Sequence, residues 1–148
     1  MINPINKLYA PNHANFVNLE KDNINFKPKY EKNTELTKYY CISDLFVIPS
    51  IVVNGHTEGL GVVTIEAMAC GTSVIGSNVG GIPDVIKDGY NGFLVPEKSE
   101  VELAEKINIL ISDKLLRKKF IKNGLRTVYD NFSWDVISGK FIRLFETK

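Results

Sequence analysis

The chain has 148 residues, 44% of them apolar, which is enough for one core of ordinary domain size and too little for two. Its formal net charge of +1 offers no bulk attraction to nucleic acid, so we expect no nucleic-acid partner. The sequence contains neither an apolar run of about 18 residues nor a signal-peptide core, which argues against a membrane-spanning or exported chain. With only two cysteines, Cys41 and Cys70, predicted to be inert core thiols, a cytoplasmic location fits best.

Composition changes along the chain. The first 33 residues are crowded with Asn, Lys and Pro, which predicts irregular structure. From residue 34 onward, short apolar runs alternate with helical patterns. Residues 35–40 predict a short helix, and residues 45–50 predict a buried strand that Pro49 ends.

A second helix is predicted over residues 60–70, because Gly71 stands where a left-handed C-terminal cap is expected. Residues 72–75 predict the next strand. A glycine-rich turn then leads to a short helix with Pro83 at its first position, and a tight turn precedes the strand at residues 93–95. Apolar spacing of three and four residues predicts three final helices over residues 99–111, 113–129 and 133–145, the last with Trp134 in the core.

Short apolar strands that alternate with helices predict an α/β fold of Rossmann type, a parallel sheet with helices on both faces and a helical C-terminal end. In such sheets ligands bind at the carboxyl ends of the strands. The loops after Ser50 and after Ile75 are therefore the predicted place for a site.

Two glutamates flank the start of the second predicted helix. Glu58 precedes the helix and Glu66 lies inside it, and Gly59 and Gly61 leave the first-turn N–H groups open to a phosphate. Glu66 stands among apolar residues and needs hydrogen-bond donors, which ligand hydroxyls would supply. Two plainer interpretations stay open at this point: Glu66 as a satisfied core carboxylate, and Glu58 as a solvated loop charge.

The segment EGLGVVTIEAMACGTSVIGSNVGGIPDVIKDGYNGFLVP resembles the donor-site signature of retaining glycosyltransferases with the glycosyltransferase-B fold, group 1 or family 4 type. The family pattern is a glutamate, seven residues, a second glutamate, then Ala-Met-Ala-Cys-Gly-Thr and a Gly-Gly-Ile-Pro turn. These elements stand here as Glu58, Glu66 and residues 67–72 and 80–83. The resemblance implies that this is the nucleotide-sugar-binding, C-terminal domain of such an enzyme.

The resemblance also assigns roles to residues. It implies that Glu58 contacts the transferred sugar as the catalytic residue, that Glu66 binds the ribose hydroxyls, and that the amides of residues 61–63 bind the diphosphate. Donor-binding positions implied in this way, besides Glu66, are Gly59, Leu60, Gly61, Val62, Val63, Gly80 and Gly81. Transfer would proceed with retention and without a metal, a cofactor or a protein nucleophile. His56 is interpreted either as a surface residue or as a contact to the donor sugar.

Residues before Asn23 lack the strand and the glycine-rich turn with Arg and Lys that the family places there. We therefore expect an irregular segment over residues 1–22, followed over residues 23–148 by a partial donor-binding domain truncated at its N-terminal side. Such a donor half would be inactive without an acceptor domain. It would be either a truncated gene product or one part of a split enzyme whose acceptor domain is a separate chain. The alternative is a non-catalytic binding or regulatory remnant of a glycosyltransferase.

A basic cluster lies on the helix predicted over residues 113–129. One interpretation is a solvated helix face, and the other is a patch that contacts the inner face of the membrane. The cluster consists of Lys114, Arg117, Lys118, Lys119, Lys122 and Arg126.

Overall fold

The computed structural model describes residues 16–20, 23–27 and 33–146. At its start, β1 (Phe16–Glu20) and β2 (Asn23–Lys27) form an antiparallel pair with Val17 opposite Phe26 and Leu19 opposite Ile24. The prediction of irregular structure over the first 33 residues, including the segment 1–22, is therefore wrong for β1 and β2. In β1, apolar residues at every second position are typical of a strand. Residues 1–15 and 21–22 of that segment lie outside the described residues, and the domain boundary at residue 23 stays a prediction.

The remaining elements alternate between helix and strand up to β5 and are helical afterwards. In chain order they are α1 (Asn33–Ile42), β3 (Leu45–Ile48), α2 (Val62–Ala69), β4 (Ser73–Ser77), α3 (Ile82–Val85), β5 (Phe93–Val95), α4 (Glu100–Ser112), α5 (Lys114–Phe132) and α6 (Trp134–Glu146).

Strands β3, β4 and β5 form a parallel sheet in that order, with helices on both faces. Successive residues of β4 point to opposite faces, so Val74 packs in one apolar cluster and Ile75 in another. The first cluster joins the sheet to α1, α2 and α3, and the second joins it to α4. Helix α5 contributes to both, through Val128 and Phe120 respectively. The predicted α/β architecture with a helical C-terminal end is confirmed.

Helix α2 begins at Val62, two residues later than predicted. Gly61 has a φ of 66° and a ψ of 50°, a left-handed conformation that cannot belong to the helix. At the other end the prediction is confirmed, because Gly71 follows the helix with a φ of 79°. Strand β4 runs to Ser77, two residues beyond the prediction, because its pairing with β5 continues to Val95.

Two predictions about the core are wrong. Trp134 is 63% exposed, because no residue of α6 is buried and Trp134 lies with other exposed apolar side chains of that helix. Cys41 is exposed rather than buried. Cys70 is half-buried, and burial together with the neighbouring Cys41 raises its pKa well above the ordinary value, in keeping with an inert thiol.

Candidate functional site

The loops that follow β3 and β4 meet at the carboxyl edge of the sheet, where the site was predicted. The first loop contains a tight turn at Asn54 and Gly55, both with positive φ, closed by two backbone hydrogen bonds of 2.9 Å between Val53 and His56. His56 is exposed in this turn. The second loop contains Gly80 and leads into α3.

The start of α2 presents backbone donors that no described acceptor engages. Thr64 is the first residue of the helix whose N–H is bonded, to the carbonyl of Gly61 at 2.8 Å. The N–H groups of Val62 and Val63 have no acceptor in the described part of the chain. Val62 is 42% exposed, and a side chain at Gly59 would meet only open space. Unpaired donors with the positive end of a helix dipole form a site suited to an anion.

Glu58 lies beside this helix start. It is half-buried, and its Cγ lies 3.9 Å from the point where a Cβ on Gly61 would stand. Among the described residues, no side chain donates a hydrogen bond to its carboxylate. The structure thus brings Glu58 together with the open amides, as predicted from the sequence.

Gly80 and Gly81 bring the second loop against the first. A Cβ on Gly80 would overlap the carbonyl oxygen of Glu58, and a Cβ on Gly81 would overlap that of Gly59. The N–H of Gly81 donates to the carbonyl of Gly59 at 2.8 Å, so it is engaged within the protein. The close approach of the two backbones explains both glycines, and their implied role in donor binding stays a prediction.

Glu66 lies on the far side of α2 from solvent, with only 4% of its surface exposed. Its Oε2 accepts a hydrogen bond of 3.3 Å from the hydroxyl of Tyr40 on α1. Its Oε1 is fully enclosed and has no partner among the described residues. The predicted contact between Glu66 and ribose hydroxyls stays a prediction, and the unpaired Oε1 is the atom available for it.

The environment of Glu66 favours its neutral form. Burial raises the pKa of this carboxyl from 4.5 to about 7, and the hydrogen bond from Tyr40 partly offsets that effect. Burial and the neighbouring Glu66 likewise raise the pKa of Tyr40, so its hydroxyl remains a donor. Near neutral pH the Glu66 carboxyl is therefore close to its pKa, and a small change in pH changes the fraction that is protonated.

Tyr40 is a contact of Glu66 that the sequence did not predict. Its ring is buried and meets Phe46 edge to face at 5.5 Å, and its carbonyl accepts a 2.6 Å hydrogen bond from the hydroxyl of Thr72. These contacts fix the position of the hydroxyl that bonds Glu66. A buried glutamate needs a donor, and that need was the one signal in the sequence that could have prompted a search for Tyr40.

A separate cleft of about 410 Å³ lies between α3, α5 and α6. None of the predicted site residues lines it. Its walls carry both signs of charge and are formed by Asp84, Lys87, Tyr90, Arg126, Thr127, Asp130, Asn131, Phe132 and Lys140.

The basic cluster of α5 divides into two parts. Arg117 donates from Nη1 to the carbonyls of Leu110 and Ile111 at 2.6 and 2.8 Å, so it caps the end of α4. The four lysines and Arg126 are exposed.

No described helix is long and apolar enough to cross a membrane. Across the described residues, no three His, Cys, Asp or Glu side chains form a group that could hold a metal ion.

A known protein family matches most of the chain. The family model of glycosyl transferases group 1 matches residues 12–127. The chain is 35% identical over 111 residues to an uncharacterised glycosyltransferase of Methanocaldococcus jannaschii, covering 75% of this chain and 27% of the relative. It is 36% identical over 114 residues to the D-inositol 3-phosphate glycosyltransferase of Streptomyces bingchenggensis, covering 77% of this chain and 24% of that relative.

Solved structures of glycosyltransferases also match the fold of this chain. The C-terminal domain of a group 1 glycosyl transferase (LpcC) from Francisella tularensis matches with a TM-score of 0.60 and 34% identity, over 75% of this chain and 53% of that one. Anabaena HepE, solved in complex with UDP, matches with a TM-score of 0.69 and 26% identity, over 75% of this chain and 29% of HepE. The chain spans about a quarter of the length of the curated relatives it matches.

Proposed function

The chain belongs to the glycosyl transferases group 1 family, and from that premise we propose that it binds a nucleotide-sugar donor at the start of α2. The observation that carries the proposal is the set of unpaired amides at residues 62–63, open at Gly59 and bordered by the Glu58 carboxylate. The complex of the related HepE with UDP supports a nucleotide diphosphate as the ligand class. We propose the donor half of a retaining glycosyltransferase as the function.

In this proposal the diphosphate lies on the amides of residues 61–63. The left-handed conformation of Gly61 turns the chain so that successive N–H groups face the same space, and the helix dipole adds positive potential there. Both effects stabilise the negative charge that develops on the diphosphate as the sugar leaves. The helix start thereby acts on the leaving group, without a metal or a protein nucleophile.

The two glutamates divide the donor between them. Glu58, half-buried and without a described hydrogen-bond donor, contacts hydroxyls of the transferred sugar. Glu66 binds the ribose through Oε1, its unpaired oxygen, while Tyr40 holds Oε2. Because Oε1 is enclosed in the structure, ribose binding requires a local opening between α1 and α2.

Transfer itself requires an acceptor domain. We propose that these 148 residues alone bind the donor without turning it over, and that a chain carrying the acceptor domain restores turnover. A second candidate is a non-catalytic binding or regulatory module, and the enclosed carboxyl of Glu66 is the observation that favours it. In that case Glu66 is a core residue, and its replacement by Gln leaves nucleotide binding unchanged.

Calorimetric titration separates these cases. We expect weak binding of at least one among UDP-glucose, UDP-N-acetylglucosamine, GDP-mannose and ADP-glucose, unaffected by EDTA. Glu58→Gln should weaken sugar-nucleotide binding and Glu66→Gln should weaken binding of the free nucleotide as well. Glu105→Gln, an exposed change on α4, is the matched control. If the wild-type chain binds none of these sugar nucleotides, the proposal is overturned.

We also propose a cytoplasmic location with peripheral contact to the inner face of the membrane. The exposed face of α5 supports this, because four lysines and Arg126 lie there together with Leu115 and Tyr129, both strongly exposed. Flotation with vesicles containing anionic lipid at low salt should carry the chain upward. A variant with Lys118, Lys119 and Lys122 changed to Gln should remain at the bottom, and flotation equal to wild type would end the proposal.

A further inference from the structure

Thr64 carries a hydroxyl that the donor site described above does not use. It is the third residue of α2 and is 0% exposed. Its Oγ1 is fully enclosed and has no hydrogen-bond partner among the described residues. Threonine in a helix ordinarily bonds a carbonyl of the preceding turn, and a buried hydroxyl without any partner destabilises the fold. Valine would fill the same volume without that loss, so the hydroxyl calls for another explanation.

The hydroxyl faces the same small space as Glu58. A Cβ on Gly61 would stand 3.4 Å from Oγ1 of Thr64, 3.4 Å from Cγ1 of Ile82 and 3.9 Å from Cγ of Glu58. These are ordinary contact distances, so the space above Gly61 admits one further small group. The Glu58 carboxylate begins one bond beyond its Cγ and has no described donor. The unpaired hydroxyl of Thr64 and the side chain of Glu58, whose carboxylate has no described donor, therefore border one empty position.

We propose that Thr64 is a positioning residue for the donor sugar: its hydroxyl donates a hydrogen bond to the Glu58 carboxylate when a nucleotide sugar is bound. This inference rests on the proposed function and adds a residue to it. In the bound state Glu58 turns over Gly61, where the absence of a side chain leaves room for the carboxylate. The hydrogen bond removes rotational freedom from Glu58 and directs its second oxygen toward the sugar hydroxyls.

This arrangement makes a specific prediction about which ligand is affected. Thr64 acts through Glu58, which contacts the sugar, whereas the diphosphate lies on backbone amides that the Thr64 hydroxyl does not engage. Removal of the hydroxyl should therefore weaken binding of a nucleotide sugar and leave binding of the free nucleoside diphosphate unchanged. A purely structural role would affect both ligands alike or neither.

The test uses Thr64→Val, with Thr64→Ser as the conservative control, in the full 148-residue chain. The probes are the tightest-binding sugar nucleotide of the panel and its nucleoside diphosphate, titrated by calorimetry. We expect Thr64→Val to weaken the sugar nucleotide about tenfold or more, as for a lost hydrogen bond to a charged group, and to leave the diphosphate within about twofold. Thr64→Ser should restore binding. The unligated Thr64→Val protein should melt no lower than wild type, because it loses only an unpaired hydroxyl.

A double-mutant cycle with Glu58→Gln then identifies the partner. If Thr64 acts through Glu58, Thr64→Val should have a smaller effect on sugar-nucleotide affinity in the Glu58→Gln background than in wild type. Full additivity of the two changes would overturn the inference, as would equal binding by wild type and Thr64→Val. Failure of the wild-type chain to bind any sugar nucleotide would overturn the proposed function and this inference with it. The two failures are thus distinguishable.

Discussion

The buried carboxyl of Glu66 gives the stability of this protein a pH dependence that can be worked out from the structure. Burial raises its pKa from 4.5 to about 7, so between these pH values the folded chain holds a proton that the unfolded chain has lost. The corresponding stability is fully present below about pH 4.5 and is lost as pH rises through about 7. At about 1.4 kcal/mol per pH unit, the loss amounts to at most about 3.5 kcal/mol.

Glu66→Gln isolates this contribution. Glutamine matches the neutral carboxyl in shape and keeps an acceptor for the Tyr40 hydroxyl, but it does not ionise. We expect the variant to exceed wild type by less than about 1 kcal/mol at pH 5 and by about 3 kcal/mol at pH 8, measured by urea unfolding. The difference between the two proteins should develop mainly between about pH 4.5 and pH 7.

Glu105→Gln on the exposed side of α4 serves as the control for a general effect of removing a carboxylate, and its stability should follow wild type within about 0.5 kcal/mol at every pH. A Glu66→Gln difference that stays constant from pH 5 to pH 8 would refute the reasoning. So would a variant less stable than wild type at pH 8, since that would mean that the charged form is the one the fold stabilises.

Three further predictions concern contacts seen in the structure. Tyr40→Phe removes the donor of a buried carboxyl and should lower the unfolding free energy by about 1–3 kcal/mol at pH 8 and by less at pH 5, measured with urea; a pH-independent loss would contradict this. Gly81→Ala should destabilise by about 1–3 kcal/mol, because its Cβ would overlap a backbone carbonyl, whereas Gly59→Ala meets open space and should melt near wild type; equal melting temperatures would contradict the packing. Arg117→Ala should lose about 1.5–3 kcal/mol with its two bonds to the end of α4, against less than about 0.5 kcal/mol for Lys118→Ala, and equal losses would contradict the capping role.

Local signals were enough to predict most of the fold. The apolar runs of β3 and β5 are bounded by turn residues, and Gly71 marks the end of α2 through a left-handed conformation that other residues rarely adopt. Gly61 has the same conformation, but a glycine near a helix start can equally lie inside the helix, so the first residue of α2 was misplaced. Strand β1 was missed because it is only five residues long and contains an asparagine. It also lies in a segment rich in Asn, Lys and Pro, which favoured the prediction of irregular structure.

Long-range contacts were not predictable in the same way. Periodicity shows that α6 has an apolar side, but whether another element covers Trp134 depends on the fold as a whole. Tyr40 and Glu66 are 26 residues apart, so no local pattern joins them. Glu58 could be expected beside the start of α2 because helix-start geometry is local. The contact of Gly80 with the Glu58 carbonyl depends on the packing of two loops, which no local pattern predicts.

Amide chemical shifts test the central claim most directly. The 16.6 kDa chain is small enough for residue-by-residue observation of its N–H groups by NMR as UDP or a UDP-sugar is added, and GDP- and ADP-linked donors can be compared in the same way. We predict that the largest shifts fall on residues 59–63, where the open amides receive the diphosphate. Unchanged amides at residues 59–63 with all three nucleotides, or shifts confined to the cleft at Arg126 and Lys140, would contradict it.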